Sequence, residues 1–257
     1  MKDPKARFSD RAENYAKYRP GYPREVLHFF EERGTLSRNS VVADVGSGTG
    51  VLSALFLESG YRVFGVEPNR EMRQAAEGLL GRNPLFESVD GAAEDTTLAD
   101  QSVDLIVVAN SLHWVEQDAA RAEFSRVVRP GGRVAIVWNV SRESGTPFRE
   151  AYADLISTYK TNGGAGGAKE VYEMTEAFFD DGSGERPGYE TANFPYSQVL
   201  DFEGLKGLVL SYSSMPALGQ PGSQEMLRDL EKIFRSNESG GEVIMEYEVS
   251  LYCGRLR

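Results

Sequence analysis

The sequence predicts one doubly wound α/β domain, and three observations carry that expectation. From Ser40 onward short apolar runs alternate with helical stretches, the rhythm of βαβ units around a parallel sheet. The first run ends in a glycine-rich turn that opens a helix, Asp44-Val45-Gly46-Ser47-Gly48-Thr49-Gly50. The chain's 257 residues suffice for one such domain, with or without a small insertion, and are too few for two large domains.

Taken in order, residues 23–33 put Val26, Leu27, Phe29 and Phe30 on a helical period between Pro23 and Gly34, a short amphipathic helix. The segment before it, Tyr15-Ala16-Lys17-Tyr18-Arg19-Pro20-Gly21-Tyr22-Pro23, reads as a helix end and a turn, because no helix extends through Pro20. Strands are expected at 41–45, 62–66, 85–90, 103–109 and 133–138. Between them, 50–59 carries Leu52, Leu55, Phe56 and Leu57 and 70–80 carries Met72, Ala75, Ala76 and Leu79, each a helix packed on the sheet. A further helix at 119–128 ends in a turn, Arg129-Pro130-Gly131-Gly132, that feeds the fifth strand.

Beyond Asn139 the rhythm loosens. A helix is expected at 148–159, a flexible loop at 162–167, a strand at 191–200, helices at 202–212 and 223–235, and a last strand at 242–252. Residues 178–189, with their glycines and aspartates, are expected to belong to a mobile cap that chooses the substrate.

Composition narrows the function. Apolar residues make up 40% and charged residues 26%, the balance of a globular protein. No apolar run is long enough to cross a bilayer, and the first residues lack the apolar stretch of a secretory signal, so the expectation is a cytoplasmic protein with no membrane partner. Cys253 is the only cysteine, which rules out an intrachain disulfide. A net charge of −11 without a Lys/Arg stripe makes nucleic acid a poor partner, although net charge allows a local basic groove.

In an open parallel sheet ligands bind outside the carboxyl ends of the strands, where strand order reverses. Glycines at 46, 48 and 50 let a ligand approach the backbone, and the following helix offers unpaired N–H groups. Glu67 stands at the end of the next strand, about 20 residues on, where a carboxylate can accept from both ribose hydroxyls. The pair implies an adenosine-type ligand. Asp44 then bears on which one, since a carboxylate there repels a pyrophosphate but can hold an ammonium group, directly or through water.

Residues 41 to 138 resemble a class I S-adenosylmethionine-dependent methyltransferase. The resemblance lies in five blocks: 42–50 around the glycines, Val66-Glu67-Pro68-Asn69, Gly91-Ala92-Ala93-Glu94-Asp95, residues 104–114 ending in Leu112-His113-Trp114, and residues 126–132. The flanks, with Tyr18 to Pro23 and Leu210-Ser211-Tyr212-Ser213, are similar to the branch of small-molecule enzymes like trans-aconitate methyltransferase. The resemblance implies a Rossmann-like seven-stranded sheet with an antiparallel last strand, a helical lid at 1–36, a core at 37–140, a helix and cap insertion at 141–190, and strands and helices at 191–257 that complete the sheet.

It further implies S-adenosylmethionine as methyl donor, with S-adenosylhomocysteine as product. The loop Gly46, Ser47, Gly48, Thr49 and Gly50 would meet the methionine part, Glu67 the ribose, Pro68 and Met72 the adenine face, and the Ala93 N–H the adenine edge. Asn110 would line the methionyl part or the methyl-transfer channel. Ala92 departs from the pattern, since many relatives have an Asp there, so the contact to the adenine amino group would come from Glu94, the backbone or water, or be absent. In the lid segment with Tyr15, Tyr18, Arg19 and Tyr22, Arg19 would pair with the methionine carboxylate and a tyrosine ring would face the sulfonium, or Tyr18 and Tyr22 would pack the amino-terminal helix to the sheet. Met72 is either an adenine contact or core filler.

In-line methyl transfer needs positioning more than a base. A carboxylate acceptor is already nucleophilic, whereas a phenol, alcohol or amine benefits from proton removal. His113 follows the fourth strand beside Trp114 and is expected to line the pocket, as a base or as wall. No metal ligand set is expected. The partner expected is a small-molecule carboxylate or hydroxyl compound, with the protein a monomer or homodimer. A protein or RNA methyltransferase, a non-catalytic binder of the donor and a dinucleotide-dependent oxidoreductase are the rivals, the last opposed by Asp44 and the glycine spacing.

Overall fold

The computed structural model of the protein describes residues 11–161, 168–180 and 188–256. Seven strands form one sheet, β1 (Val41–Val45), β2 (Arg62–Val66), β3 (Phe86–Val89), β4 (Val103–Ala109), β5 (Val128–Ser141), β6 (Tyr189–Leu200) and β7 (Val243–Gly254). Their order is β3-β2-β1-β4-β5-β7-β6. The first five run parallel, while β7 is antiparallel to both β5 and β6. Strand order reverses between β1 and β4, so their carboxyl ends open a crevice at that switch point.

Parallel strands covered on both faces are largely apolar, and β1 and β4 are so apart from Asp44 near the end of β1 and Asp104 near the start of β4. On one face α2 (Glu25–Glu32) and α3 (Val51–Glu58) bury Phe29, Phe30, Leu52 and Phe56 against Val42, Val63, Leu105 and Val107. On the other, α5 (Gln117–Val127) and α7 (Ala168–Phe179) bury Phe124 and Phe178 against Ile106, Val108, Ile136 and Trp138. Removing a ring such as Phe56 or Phe124 from these layers would cost about 3–5 kcal/mol. α4 (Arg70–Leu80) starts at an N-cap where Asn69 Oδ1 accepts from Met72 N at 2.9 Å.

A third cluster lies beyond the end of the sheet. Here α6 (Pro147–Tyr159), α8 (Phe202–Ser211) and α9 (Ser223–Asn237) pack Tyr152, Leu208 and Leu230 against Met245 and Tyr247 of β7. The first helix, α1 (Ala12–Tyr18), docks on α8. Tyr18 presses its ring where Gly207 lacks a side chain; a Cβ there would overlap the ring. Arg11 donates to the carbonyls of Leu210, Tyr212 and Met215, acceptors left over at the end of α8.

Two expectations are corrected. The segment Arg129 to Gly132 is not a separate turn ahead of the fifth strand. Val128 already pairs with Val103, and the next partners are Leu105 and Arg133, so the four residues bulge out of β5 itself. The expected cap at 178–189 begins instead inside α7, where Phe178 and Phe179 are buried in the core, and it ends inside β6 at Tyr189. Residues 181–187, and the expected loop at 162–167, lie outside the described residues.

Candidate functional site

The turn after β1 is built by backbone. Gly46 N and Ser47 N both donate to Val66 O, at 2.8 and 3.1 Å, which ties the loop to the end of β2. Gly46 has φ +70°, and a Cβ there would stand 2.5 Å from Ser111 Oγ. Only glycine meets both demands. Gly50 opens α3 without a side-chain cap, and Thr49 beside it is 1% exposed with a hydroxyl that has no partner.

Two carboxylates flank this loop. Asp44 is 1% exposed, and its Oδ2 accepts from Ser53 Oγ at 2.6 Å while its Oδ1 has no partner. Burial is the main force that raises its pKa to about 6, with the charge of Glu67 adding to it. A buried oxygen without a donor calls for a cationic or N–H ligand. Glu67 accepts from Gly48 N at 2.9 Å through one oxygen and from Asn69 N at 2.8 Å through the other. Burial raises its pKa, opposed by those hydrogen bonds and by Arg73. Each of its oxygens retains acceptor capacity for a ligand hydroxyl.

Past Glu67, Pro68 is half-buried and Met72 is 3% exposed, packed in the start of α4. Ala92 and Asp95 pair through their backbones at 2.9 and 3.2 Å, which leaves the N–H groups of Ala93 and Glu94 out of that pairing. Glu94 Oε1 accepts from Glu116 N at 2.8 Å, the residue that caps α5.

Asn110, the residue after β4, is in a left-handed conformation, φ +51°. Its Nδ2 donates to Tyr22 Oη at 2.9 Å, its Oδ1 accepts from Asn139 N at 2.9 Å, and Asn139 Nδ2 donates to Gly21 O at 3.1 Å. The strap Pro20-Gly21-Tyr22 is thereby laced to the ends of β4 and β5. A strained, asparagine-held residue at a switch point is a frequent mark of a working site.

Beside this lacing opens a cavity of about 470 Å³, lined by the α1 end, β5, α6 and β7, with Tyr15, Arg19, Asn110, Tyr152, Tyr212 and Tyr247 on its walls. Of the expected lid residues, Arg19 reaches it, stacked 4.7 Å from the Tyr15 ring centroid and 4.5 Å from that of Tyr212. Tyr18 faces α8 rather than the cavity, and Tyr15 takes the place beside Gly48. His113 is outside the lining. It stacks 4.6 Å from Trp114 and 5.9 Å from Trp138, and burial with the charge of Arg19 lowers its pKa to about 4, so it is neutral at physiological pH.

The structure thus gathers Asp44, Gly46 to Gly50, Glu67 and Asn110 at one switch point. The cavity residues Tyr152, Arg149, Asn139 and Tyr247 were missed from sequence, because they come from elements far apart in the chain and share no local motif. Among the described residues no cluster of His, Cys, Asp and Glu could hold a metal ion, and no helix is long and apolar enough to cross a membrane.

Comparison with known proteins meets this geometry. The methyltransferase domain family matches residues 43–136, from within β1 to within β5. The chain is 25% identical over 229 residues to an uncharacterized methyltransferase of Schizosaccharomyces pombe, covering 87% of this chain and 85% of the relative. It is 37% identical over 129 residues to an uncharacterized methyltransferase of Mycobacterium tuberculosis, a match that spans 50% of each. Among solved structures, a type II methyltransferase from Anaeromyxobacter dehalogenans shares the fold, with a TM-score of 0.67 at 22% identity over 93% of this chain and 98% of that one. Residues 43–136 thus match a methyltransferase domain, and the chain is similar to methyltransferases in sequence and in fold.

Proposed function

We propose that this chain binds S-adenosylmethionine at the loop Asp44 to Gly50 and methylates a small molecule, a carboxylate or a hydroxyl compound, held in the adjoining cavity. The observation that carries the reading is the pairing of the orphaned Asp44 Oδ1 with Glu67 on either side of the loop. Asp44 fits the methionine ammonium, Glu67 the ribose hydroxyls, and the Ala93 N–H with Pro68 the adenine. When bound, S-adenosylmethionine supplies an electrophilic methyl group whose transfer leaves a neutral thioether.

The chain's own task is then to orient the acceptor and exclude water. The lining supports an acceptor that needs no base. It contains no histidine, and burial holds the hydroxyls of Tyr22, Tyr152 and Tyr247 protonated far above neutrality. A carboxylate meets that condition outright, a hydroxyl only with its proton passing to water. Formation of S-adenosylhomocysteine with a panel of small carboxylic acids and phenols tests the reading. Turnover with at least one acid is expected; turnover confined to peptides or RNA would contradict it.

A further inference from the structure

The loop after β3 offers hydrogen-bond donors to a ligand and little that accepts. Glu67 N donates to Val89 O at 3.1 Å, so this loop leaves β3 beside the carboxylate that flanks the glycine turn. It then folds back over the strand ends, where Ala93 joins the buried cluster of Val45, Val66, Val108 and Leu112. Ala92 and Asp95 close a tight turn by exchanging backbone hydrogen bonds at 2.9 and 3.2 Å. Between them, the N–H groups of Ala93 and Glu94 have no partner among the described residues, although Ala93 is only 6% exposed. A nearly buried N–H of this kind calls for an acceptor from a ligand.

The same turn is poor in acceptors of its own. The side chains of Ala92 and Ala93 have none, and the Ala92 carbonyl is turned onto Asp95 N. Each of the three carboxylates in residues 90–95 has an oxygen engaged elsewhere. Asp90 Oδ2 pairs with Arg73 at 2.8 Å, Glu94 Oε1 accepts from Glu116 N at 2.8 Å, and Asp95 Oδ1 accepts from Thr97 N at 3.3 Å. Adenine presents one acceptor, N1, beside one donor, its 6-amino group. The Ala93 N–H answers N1, and the amino group is left to water.

We propose that Ala92 makes the chain indifferent to the 6-amino group of the donor's base. The turn would read N1 through the Ala93 N–H and leave position 6 unread, so that a purine lacking the amino group is held as well as adenine. Hypoxanthine would be rejected, because its N1 carries a proton and sets one N–H against another, which leaves a buried donor unpaired. The proposal rests on the reading that S-adenosylmethionine binds at the loop Asp44 to Gly50, with its base beside this turn.

The test titrates the full chain in a calorimeter with three ligands that differ only in the base: S-adenosylhomocysteine, its 6-deamino analogue with purine in place of adenine, and S-inosylhomocysteine. The first two should bind wild type within about threefold of each other, and the third at least about tenfold more weakly. Ala92→Asp, which adds a carboxylate acceptor to the turn, should bind S-adenosylhomocysteine at least about tenfold tighter than the 6-deamino analogue. Thermal unfolding shows whether that variant is folded, and the wild-type comparison decides the proposal if it is not. A wild-type preference of about tenfold or more for adenine over the 6-deamino form overturns the proposal, and loss of that preference in Glu94→Gln would assign the amino group to Glu94 instead. Equal binding of S-inosylhomocysteine overturns it too, because N1 is then not read. Indifference that persists in a folded Ala92→Asp protein overturns the role given to Ala92. If none of the three ligands binds, the methyl-donor reading falls and takes the proposal with it; binding of S-adenosylhomocysteine without the expected order among the bases overturns the proposal alone.

Discussion

The two halves of the crevice are made in different ways. The half proposed to hold the methyl donor is mostly backbone: the turn from β1, the end of β2 and the start of α4 lie within residues 41–80, and its geometry comes from positive φ angles and main-chain hydrogen bonds. The half proposed to hold the acceptor is mostly side chain, gathered from α1, α6, the strand ends and the segment after α8. Backbone-built sites tolerate little substitution, because a Cβ or a lost carboxylate has nowhere to be absorbed. Side-chain-built sites can change their ligand while the fold stays put.

That contrast orders the expected effects of substitution. Gly46→Val should be the most severe, since it forces a branched side chain to φ +70° and into Ser111 Oγ. Donor binding should be lost and unfolding shifted by about 1–3 kcal/mol, as denaturant titration would show. Glu67→Ala should weaken S-adenosylhomocysteine binding by about 1–3 kcal/mol in calorimetry, the cost of hydrogen bonds lost at a buried site. A smaller loss, with acceptor affinity reduced instead, would erase the distinction between the halves.

Asp44 gives the comparison a pH axis. Its pKa in the ligand-free fold is raised from 3.8 to about 6, so the folded protein holds this proton more tightly than the unfolded chain. The sign follows: Asp44 destabilises the ligand-free protein increasingly as pH rises from about 4 to 6, by an amount on the order of 2–3 kcal/mol at neutrality. Asp44→Asn should therefore raise ligand-free stability at pH 7 while weakening donor binding. In the wild type, donor affinity should fall as pH drops below about 6, where the carboxylate is lost. Parallel melting and titration across that range check both signs.

On the acceptor side effects should be milder and should spare the donor. Gly207→Ala pushes Tyr18 off α8, so α1 should exchange its amides faster and acceptor KM should rise, with donor affinity changed by no more than about threefold. His113→Gln should be the mildest. A neutral, stacked imidazole outside the cavity lining is not poised to take a proton, and kcat should fall by less than about tenfold.

The same contrast explains what could be read before the structure. The strands β1, β2 and β4, the helices between them and the residues Asp44, Gly46 and Glu67 were legible, because each leaves a mark within a few positions: an apolar run, a glycine spacing, an acid at a strand end. α7 escaped because its start adjoins the glycine-rich stretch and its end, Phe178-Phe179, leads into another, so two glycine signals masked a helix whose burial only the sheet reveals. The bulge of Arg129 to Gly132 escaped for a related reason. Pro and Gly mark a break in regular backbone, and whether that break is a turn or a bulge depends on the neighbouring strand, here Val103 to Leu105. The position of His113 depends on Trp138, which lies a strand away, and no local pattern announces that stack.

If the loop flanked by Asp44 and Glu67 holds the methyl donor, the donor's demethylated product must bind there and depend on Glu67. Calorimetric titration of the full chain with S-adenosylhomocysteine, run in parallel on Glu67→Ala, tests it most directly. Saturable one-site binding by the wild type, clearly weakened in the variant, is the predicted result. No heat of binding at high micromolar ligand, or equal binding by both proteins, would contradict it.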